Sequence, residues 1–345
     1  MKHVGLDVHL SQTCVYWQDD DSGESSRARL MPTREVPRHL RQLGEVGPVV
    51  LETGVHSKFL ARQLAALHFD VYLADAYKTA LQMPSYKTSK TDRLDARALC
   101  AMSREQAVHK LRVWIPDEYT EQLRHLVRSR EGLVQITTSL RAQIRCLLAG
   151  WGEVCPAHDL MGLQGRQWLD QVPERLPHEA QLALDALRQS LAAVVAQIQR
   201  LERDIRQQAQ QDPRCQLLQT LPGCGPLTAV TIIAEIGDPS RFANSSRLCS
   251  YAGLAPTIRQ SGERSYTGPL KARGNPHLRR ILVLLAQHFS QRRDLGHHPL
   301  RRRYYRVLRQ HGPNPAKTAL ARDLCRVLLA MLQTHQPFEL NRQAA

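Results

Sequence analysis

The stretch Val4-Gly5-Leu6-Asp7-Val8-His9 decides how the first third of the chain is read. Val4, Leu6 and Val8 alternate with Gly5 and Asp7, the two-residue period of a β-strand with one face turned to a core. A carboxylate inside such a strand is costly to bury unless it is paired or bound to a cation. Outward from there, Asp20-Asp21-Ser22-Gly23 supplies a turn. Pro48-Val49-Val50-Leu51 is a short apolar strand running into Glu52-Thr53-Gly54. A helix is expected from about Ser57 to His68, with Phe59, Leu60, Leu64 and Leu67 on one side. Val71-Tyr72-Leu73 is another strand, opening into a polar loop at 84–91. Thr91 is then placed to cap a helix continuing through Leu94, Ala98 and Leu99. Residues 1–115 therefore read as an α/β domain.

The pattern changes at 116–212. Leu184, Leu187, Leu191, Val194, Ile198, Leu201 and Ile205 follow steps of three and four, a heptad seam. Leu126, Leu133, Leu140 and Leu147 recur every seven residues before it, and a Gly/Pro/Trp-containing segment at about 150–178 lies between. Two long helices that return on each other, or pair with another subunit, explain this pattern. A coiled coil that mediates subunit contacts is the expectation, and dependence of a homo-oligomer on Leu191 and Ile198 follows from it. Residues 213–345 read as a mostly helical domain. Within it Asn275-Pro276 and Asn314-Pro315 each put a capping residue before a proline suited to the first helical turn.

Composition narrows the function classes. Only 5% of the 345 residues are aromatic against 42% hydrophobic overall, so the cores are expected to be aliphatic. No apolar run approaches the ~20 residues that span a bilayer, and no basic leader with an apolar region opens the chain, so a cytoplasmic, nucleoid-associated protein is expected. The eight cysteines form no Cys-x-x-Cys and no zinc-finger spacing with histidine, so they read as reduced, mostly buried thiols. The net charge of +15 is concentrated: thirteen Lys and Arg lie between Arg259 and Arg309 against only Glu263 and Asp294. Clustering of that kind favours a nucleic-acid partner over evenly spread solubilising charge.

Four acids are candidates for metal ligation. Asp7 sits in the first strand, Glu52 ends an apolar strand, and Asp92 and Asp95 lie three apart on one face of a helix start. Together they offer oxygen ligands suited to one or two Mg²⁺ (or Mn²⁺) ions, able to clamp the oxygens of a phosphoryl transfer. Each also has an ordinary reading: helix-dipole acids for Asp92 and Asp95, a paired strand residue for Asp7, a surface acid for Glu52. Asp75, at another strand end, is a rival ligand. Their order along the chain is that of ribonuclease-H-like nucleases and resolvases.

The segments "GLDVH" (5–9), "LETG" (51–54) and "KTDRLDARAL" (90–99) resemble the DEDD motif of the insertion-sequence family numbered one hundred and ten. That resemblance implies a RuvC-like, ribonuclease-H-like N-terminal domain in which Asp7, Glu52, Asp92 and Asp95 are the metal-binding tetrad. The family commonly has Asn-Pro where this chain has Ala74-Asp75, a departure that leaves Asp75 as a possible helper.

A second block lies near the other end. "LPGCGPLTAVTIIAEIGDPSRF" (221–242) has a Pro-Gly-Cys-Gly turn before an apolar helix, read either as half of a helix–hairpin–helix that offers N–H groups to phosphate or as a plain tight turn. In "YAGLAPTIRQSGERSYTGPLKARGNPHLRRIL" (251–282), Ser261 has Arg259, Arg264, Lys271, Arg273, Arg279 and Arg280 around it in sequence. Guanidinium groups suit a phosphoryl-transfer transition state, and a serine nucleophile needs activation, but Ser245, Ser246 and Ser265 compete equally on chemistry. This block is similar to the C-terminal transposase domain of the same family: Gly-Leu-x-Pro at 253–256, Ser-Gly at 261–262 and Gly-Asn at 274–275 are all present. The resemblance maps the family's nucleophilic serine onto Ser261. It implies a DNA transposase that joins strands through a phosphoserine, a bridge RNA pairing with donor and target DNA, and a site completed between subunits. Arg301, Arg302 and Arg303 join the nucleic-acid-binding candidates. Alternatives are a Holliday-junction-type endonuclease using the carboxylates alone, and a non-catalytic nucleic-acid-binding protein.

Overall fold

β1 (Lys2–Val8) is the central strand of a six-stranded sheet, and it is flanked on both edges from within the chain. The computed structural model describes residues 1–75, 91–104, 112–261, 264–270 and 274–339, and the chain divides into two units, 1–116 and 117–345. In the first unit β1 pairs antiparallel with β2 (Gln12–Asp19), which pairs antiparallel with β3 (Arg29–Pro32). On its other side β1 runs parallel to β4 (Val46–Glu52), followed by parallel β5 (Val71–Ala74) and a short antiparallel β6 (Arg112–Val113). The sheet order is thus β3-β2-β1-β4-β5-β6.

Alternation sorts the side chains into two layers. Val4, Leu6, Val49, Leu51, Val71 and Leu73 pack with Leu40 of α1 (Val36–Gln42) and with Leu60, Ala61 and Leu64 of α2 (Ser57–Ala66). On the opposite face Val50, Tyr72 and Ala74 meet Leu99 and Met102 of α3 (Asp92–Arg104). Phe59, expected on the buried side of α2, is 60% exposed, because the stripe facing the sheet is Leu60, Ala61 and Leu64, about 100° further round the helix. Leu94 of α3 is likewise exposed. Of the expected polar loop at 84–91, only Thr91 belongs to the described residues.

The second unit begins with two long helices, α4 (Glu118–Gly150) and α6 (His178–Gln211), separated by a short α5 (Leu163–Gln171). α6 returns along α4: Ile205 and Ala209 share a cluster with Leu123 and Val127, Arg130 bonds Glu202, and Leu184 and Leu191 pack with Ile144 and Leu148. The seam expected to face another subunit is therefore covered by the chain's own helix, with Leu191 1% and Ile198 9% exposed. The physical reason is that the 150–178 segment turns the chain back, so an intramolecular partner is always at hand. The sevenfold column Leu126, Leu133, Leu140 and Leu147 is only half-buried, while Leu123, Val127, Ile144 and Leu148 take the deep positions. A Leu191→Ala variant should lose about 2–5 kcal/mol of stability. The fall in its denaturation midpoint relative to the parent should be the same at two protein concentrations tenfold apart. A fall that changes with concentration would return the seam to an interface between subunits.

The remaining elements are α7 (Pro213–Gln219), α8 (Pro226–Ile236), α9 (Ser245–Tyr251), the ribbon β7 (Pro256–Ser261) and β8 (Arg264–Leu270), α10 (Pro276–Gln291), α11 (Pro299–His311) and α12 (Pro313–Thr334). α8 is buried along nearly its whole length. Asn275 caps α10 as expected, accepting a bond from Leu278 N at 3.0 Å. α12, however, starts at Pro313 rather than after Asn314: Gly312 ends α11 and caps the next helix, and both Pro313 and Pro315 fit a first turn that needs no N–H. Six of the eight cysteines are buried, as a mostly buried set was expected to be. No helix among the described residues is long and apolar enough to cross a membrane.

Candidate active site

The sheet register brings the acids of the first unit together. Leu6 of β1 pairs with Leu51 of β4, so Asp7 and Glu52, each one residue further on, end adjacent parallel strands on the face that α3 covers. α3 lies directly against β1 at Gly5, where an added Cβ would sit 2.0 Å from Ala96 O and 2.5 Å from Cys100 N. Any side chain there would push the helix, and its two aspartates, away from the strand. Thr91 caps the helix through a 3.3 Å bond from Leu94 N, so the first turn and its partial positive charge sit beside the acids.

Asp7, Glu52, Asp92 and Asp95 line one cleft of about 320 Å³, together with His9, Thr53, Gly54 and Ser57. His9 Nε2 lies 3.3 Å from an oxygen of Asp7 and 3.3 Å from one of Asp92. One donor atom from each of these three residues falls within 4.8 Å of the others, which suits a metal ion. Asp95 is 8% exposed at the inner end of the turn. Burial pushes the Asp7 carboxyl above its usual range, His9 draws it down, and the charges of Asp95 and Asp92 raise it again. Asp75 follows β5 and does not belong to the lining of this cleft.

In the second unit Ser261 is the last residue of β7, paired with Arg264, while Arg259 pairs with Tyr266. Along the backbone, Arg259 and Ser261 thus stand two positions apart on β7, opposite Tyr266 and Arg264 of β8. Lys271 and Arg273 lie outside the described residues. The base of the ribbon is clamped. Asn275 N donates to Tyr251 O at 2.7 Å, and Gly274, at φ +145°, lies so close to Gly253 that a Cβ would come within 2.5 Å of its Cα. Of the other basic candidates, Arg279 Nε donates to Ala252 O at 3.2 Å, Arg280 pairs with Glu131, and Arg303 pairs with Asp323 at 2.7 Å. Arg301 donates to the Ser290 and Gly296 carbonyls, whereas Arg302 is exposed.

A family model described as "Transposase IS116/IS110/IS902 family" matches residues 215–306, and a DEDD-type transposase model matches residues 4–152. The chain is 27% identical over 281 residues to the transposase for insertion sequence element IS1328 of Yersinia enterocolitica, covering 81% of each. It is 28% identical over 335 residues to a probable family 20 transposase of Pseudomonas aeruginosa, covering 96% of this chain and 97% of that one. It is also similar, at 26% over 268 residues, to the transposase for insertion sequence element IS1111A of Coxiella burnetii, covering 74% and 70% respectively. The chain belongs to the IS110/IS116/IS902 family of insertion-sequence transposases.

The transposase is accordingly a DNA-recombination enzyme, and its DEDD-type domain indicates use of a divalent metal. The donor set of the cleft, four carboxylates and an imidazole, fits such an ion. Sequence reasoning missed two residues of the transposase's candidate sites. His9 stood inside the quoted motif, but nothing in a linear reading put it between Asp7 and Asp92. Glu235 is fully buried in α8, and its only sequence trace was a lone acid inside the apolar run Ala229–Ile236. Its carboxylate takes two bonds from Arg128, at 2.8 and 2.7 Å, and one from Asn275 at 2.6 Å. Tyr251 Oη donates to its backbone carbonyl at 3.3 Å, and Arg124 to the same carbonyl at 3.2 Å. The residues that clamp the ribbon are thus tied to α4 and α8 through one buried carboxylate.

The acids also predict a stability signature. A carboxyl whose folded pKa is raised destabilises the fold at pH values above that pKa and stops doing so as pH falls below the unfolded value. Asp7→Asn should therefore raise the thermal midpoint of metal-free transposase at pH 7, with the advantage vanishing in acid. Mn²⁺ at about 100 times its Kd should stabilise the parent by about 2.7 kcal/mol, and the variant by less. Calorimetry with and without Mn²⁺ reads both; a variant as responsive to metal as its parent would remove Asp7 from the ligand set.

Proposed function

We propose that this transposase cuts and rejoins DNA strands through a covalent bond to Ser261, in concert with divalent metal, Mg²⁺ or Mn²⁺, held by Asp7, Glu52, Asp92 and Asp95. The observation that carries the proposal is the convergence of those four acids in one cleft at the ends of adjacent parallel strands. A sheet of order β3-β2-β1-β4-β5-β6 with a helix bringing the last two acids supports a ribonuclease-H-like, RuvC-like first unit. A metal bound there supplies Lewis-acid polarisation of a phosphoryl oxygen. The chain's own part is to supply Ser261 from the end of β7, with Arg264 opposite it and Arg259 two positions before it in the backbone register, as cations to favour charge developing on the phosphate. A phosphorus–Oγ bond replaces one phosphorus–oxygen bond of the strand, and reversal restores both the phosphodiester and the serine hydroxyl. Strands then rejoin without an outside source of energy. A homo-oligomer acting on donor and target DNA, guided by a bridge RNA, completes the reading.

The test is to assemble the transposase with element-end DNA, metal and the noncoding RNA of its element, trap the complex, digest the DNA and map the peptides by mass spectrometry. A nucleotide adduct on the peptide containing Ser261 supports the mechanism. Strand cutting without any protein–DNA adduct would make it a carboxylate-only nuclease of the junction-resolving kind.

A further inference from the structure

We propose that the groove beside α11 in the second unit is a sequence-independent seat for the backbone of duplex DNA, with Arg302, Arg306 and Arg309 as its phosphate contacts. The groove, about 530 Å³, is lined by His297, Arg301, Arg302, Tyr305, Arg306 and Arg309. Arg302, Tyr305, Arg306 and Arg309 fall on one face of the helix at three- and four-residue spacing.

Two features separate this face from ordinary solubilising charge. First, it is built. Arg301 is held by carbonyl bonds to Ser290 at 3.2 Å and Gly296 at 2.8 Å and lies 5.2 Å from the centre of the Tyr305 ring. Tyr305 Oη in turn donates to Ser290 O at 3.4 Å. Second, it is uncompensated. Arg302, Arg306 and Arg309 form no ion pair among the described residues, and no acid lines the groove. The nearby acids are used elsewhere, Asp323 by Arg303 and Asp294 by Arg292. Arg303, on the same helix, is thereby drawn away from the groove.

Guanidinium groups gathered in a concavity repel one another until a polyanion arrives. Arg302 to Arg309 spans about 10 Å of helix, too long for a single phosphate to serve and suited to successive phosphates of one strand. Duplex backbone is favoured over single strands because guanidinium groups dominate the lining and the phenol ring of Tyr305 lies against Arg301 with its hydroxyl engaged, which leaves His297 as the only other ring beside which a base could stack. DNA is the substrate class of a transposase, and the inference rests on that alone, not on Ser261 or the metal site.

The experiment measures binding, not cleavage. Full-length Arg306→Glu/Arg309→Glu is titrated by fluorescence anisotropy against a labelled random-sequence DNA duplex across a salt series. A control, Arg203→Glu/Arg206→Glu, makes the same charge change at exposed positions of α6. The groove variant should bind at least about tenfold more weakly, and its salt slope should fall by about two, while the control changes little. Circular dichroism checks that both variants remain folded. Equal loss in the control would reduce the effect to bulk charge and overturn the proposal. So would an unchanged slope in the groove variant, or a clear preference of these residues for an RNA hairpin of equal length.

Discussion

Ser261→Ala should fold as the parent does and lose strand exchange by at least roughly a thousandfold, as nucleophile deletions do when the rest of a site survives. Ser261 is the last residue of β7, and the change removes a single oxygen, so stability should move by less than about 0.5 kcal/mol. The covalent complex should disappear with the activity. Ser265→Ala is the comparison: Ser265 pairs with Gln260 along the backbone, one position removed from the Ser261–Arg264 pair. It should keep both adduct and exchange. Metal binding, read by the Mn²⁺-dependent rise in thermal midpoint, should be untouched in either variant, since the carboxylates belong to the other unit. Exchange at the parental rate by Ser261→Ala would reject the serine as nucleophile while leaving the metal cleft standing.

The second large effect concerns stability. Glu235→Ala removes the carboxylate that receives Arg128 and Asn275 and leaves the half-buried Arg128 guanidinium without its partner. Breaking one side of a buried pair costs about 3–5 kcal/mol, a fall in thermal midpoint on the order of 10 °C for a unit of this size. Burial by itself raises the Glu235 carboxyl, but the bonds from Arg128 and Asn275 outweigh it and hold the pKa below the usual range. The sign follows. With the folded pKa below the unfolded one, the stabilisation is present above the unfolded value of about 4.3 and is lost as pH falls through the folded pKa. Urea denaturation from pH 7 down to pH 3 should therefore show parent and Glu235→Ala converging in acid. Arg128→Leu/Glu235→Leu should recover part of the loss, because no lone charge is left in place. A gap that stays constant across the pH series would mean that the carboxylate is not what the fold depends on.

Elements with a strong local pattern were legible from residue order. The alternation at Val4–Val8, the cap at Thr91 and the Asn275-Pro276 start of α10 all depend on neighbours within a few positions, and each stands where the pattern puts it. Helix faces were less secure. The sevenfold column of leucines in α4 turned out half-buried and Phe59 exposed, because which stripe is buried depends on where the next element packs. The start of α12 at Pro313 was missed because Gly312 serves two helices at once.

The sequence by itself determined the class of the chain: two motif blocks with acids, glycines and a basic serine segment, which identify an insertion-sequence transposase. It also determined an α/β first part, a pair of long helices and a helical remainder, since hydrophobic period is a local property. Only the tertiary structure decided what meets what. Register across β1 and β4, and the close approach of α3 at Gly5, put Asp7 and Glu52 beside Asp92 and Asp95 and set His9 between two of them. The turn between α4 and α6 decided that Leu191 and Ile198 are covered from within the chain. Packing of α8 against α4 gave Glu235 its arginine partners. Contacts between residues a hundred positions apart depend on how strands pair and helices cross, and a heptad or a lone buried acid is compatible with several partners until the chain's own returning elements supply one.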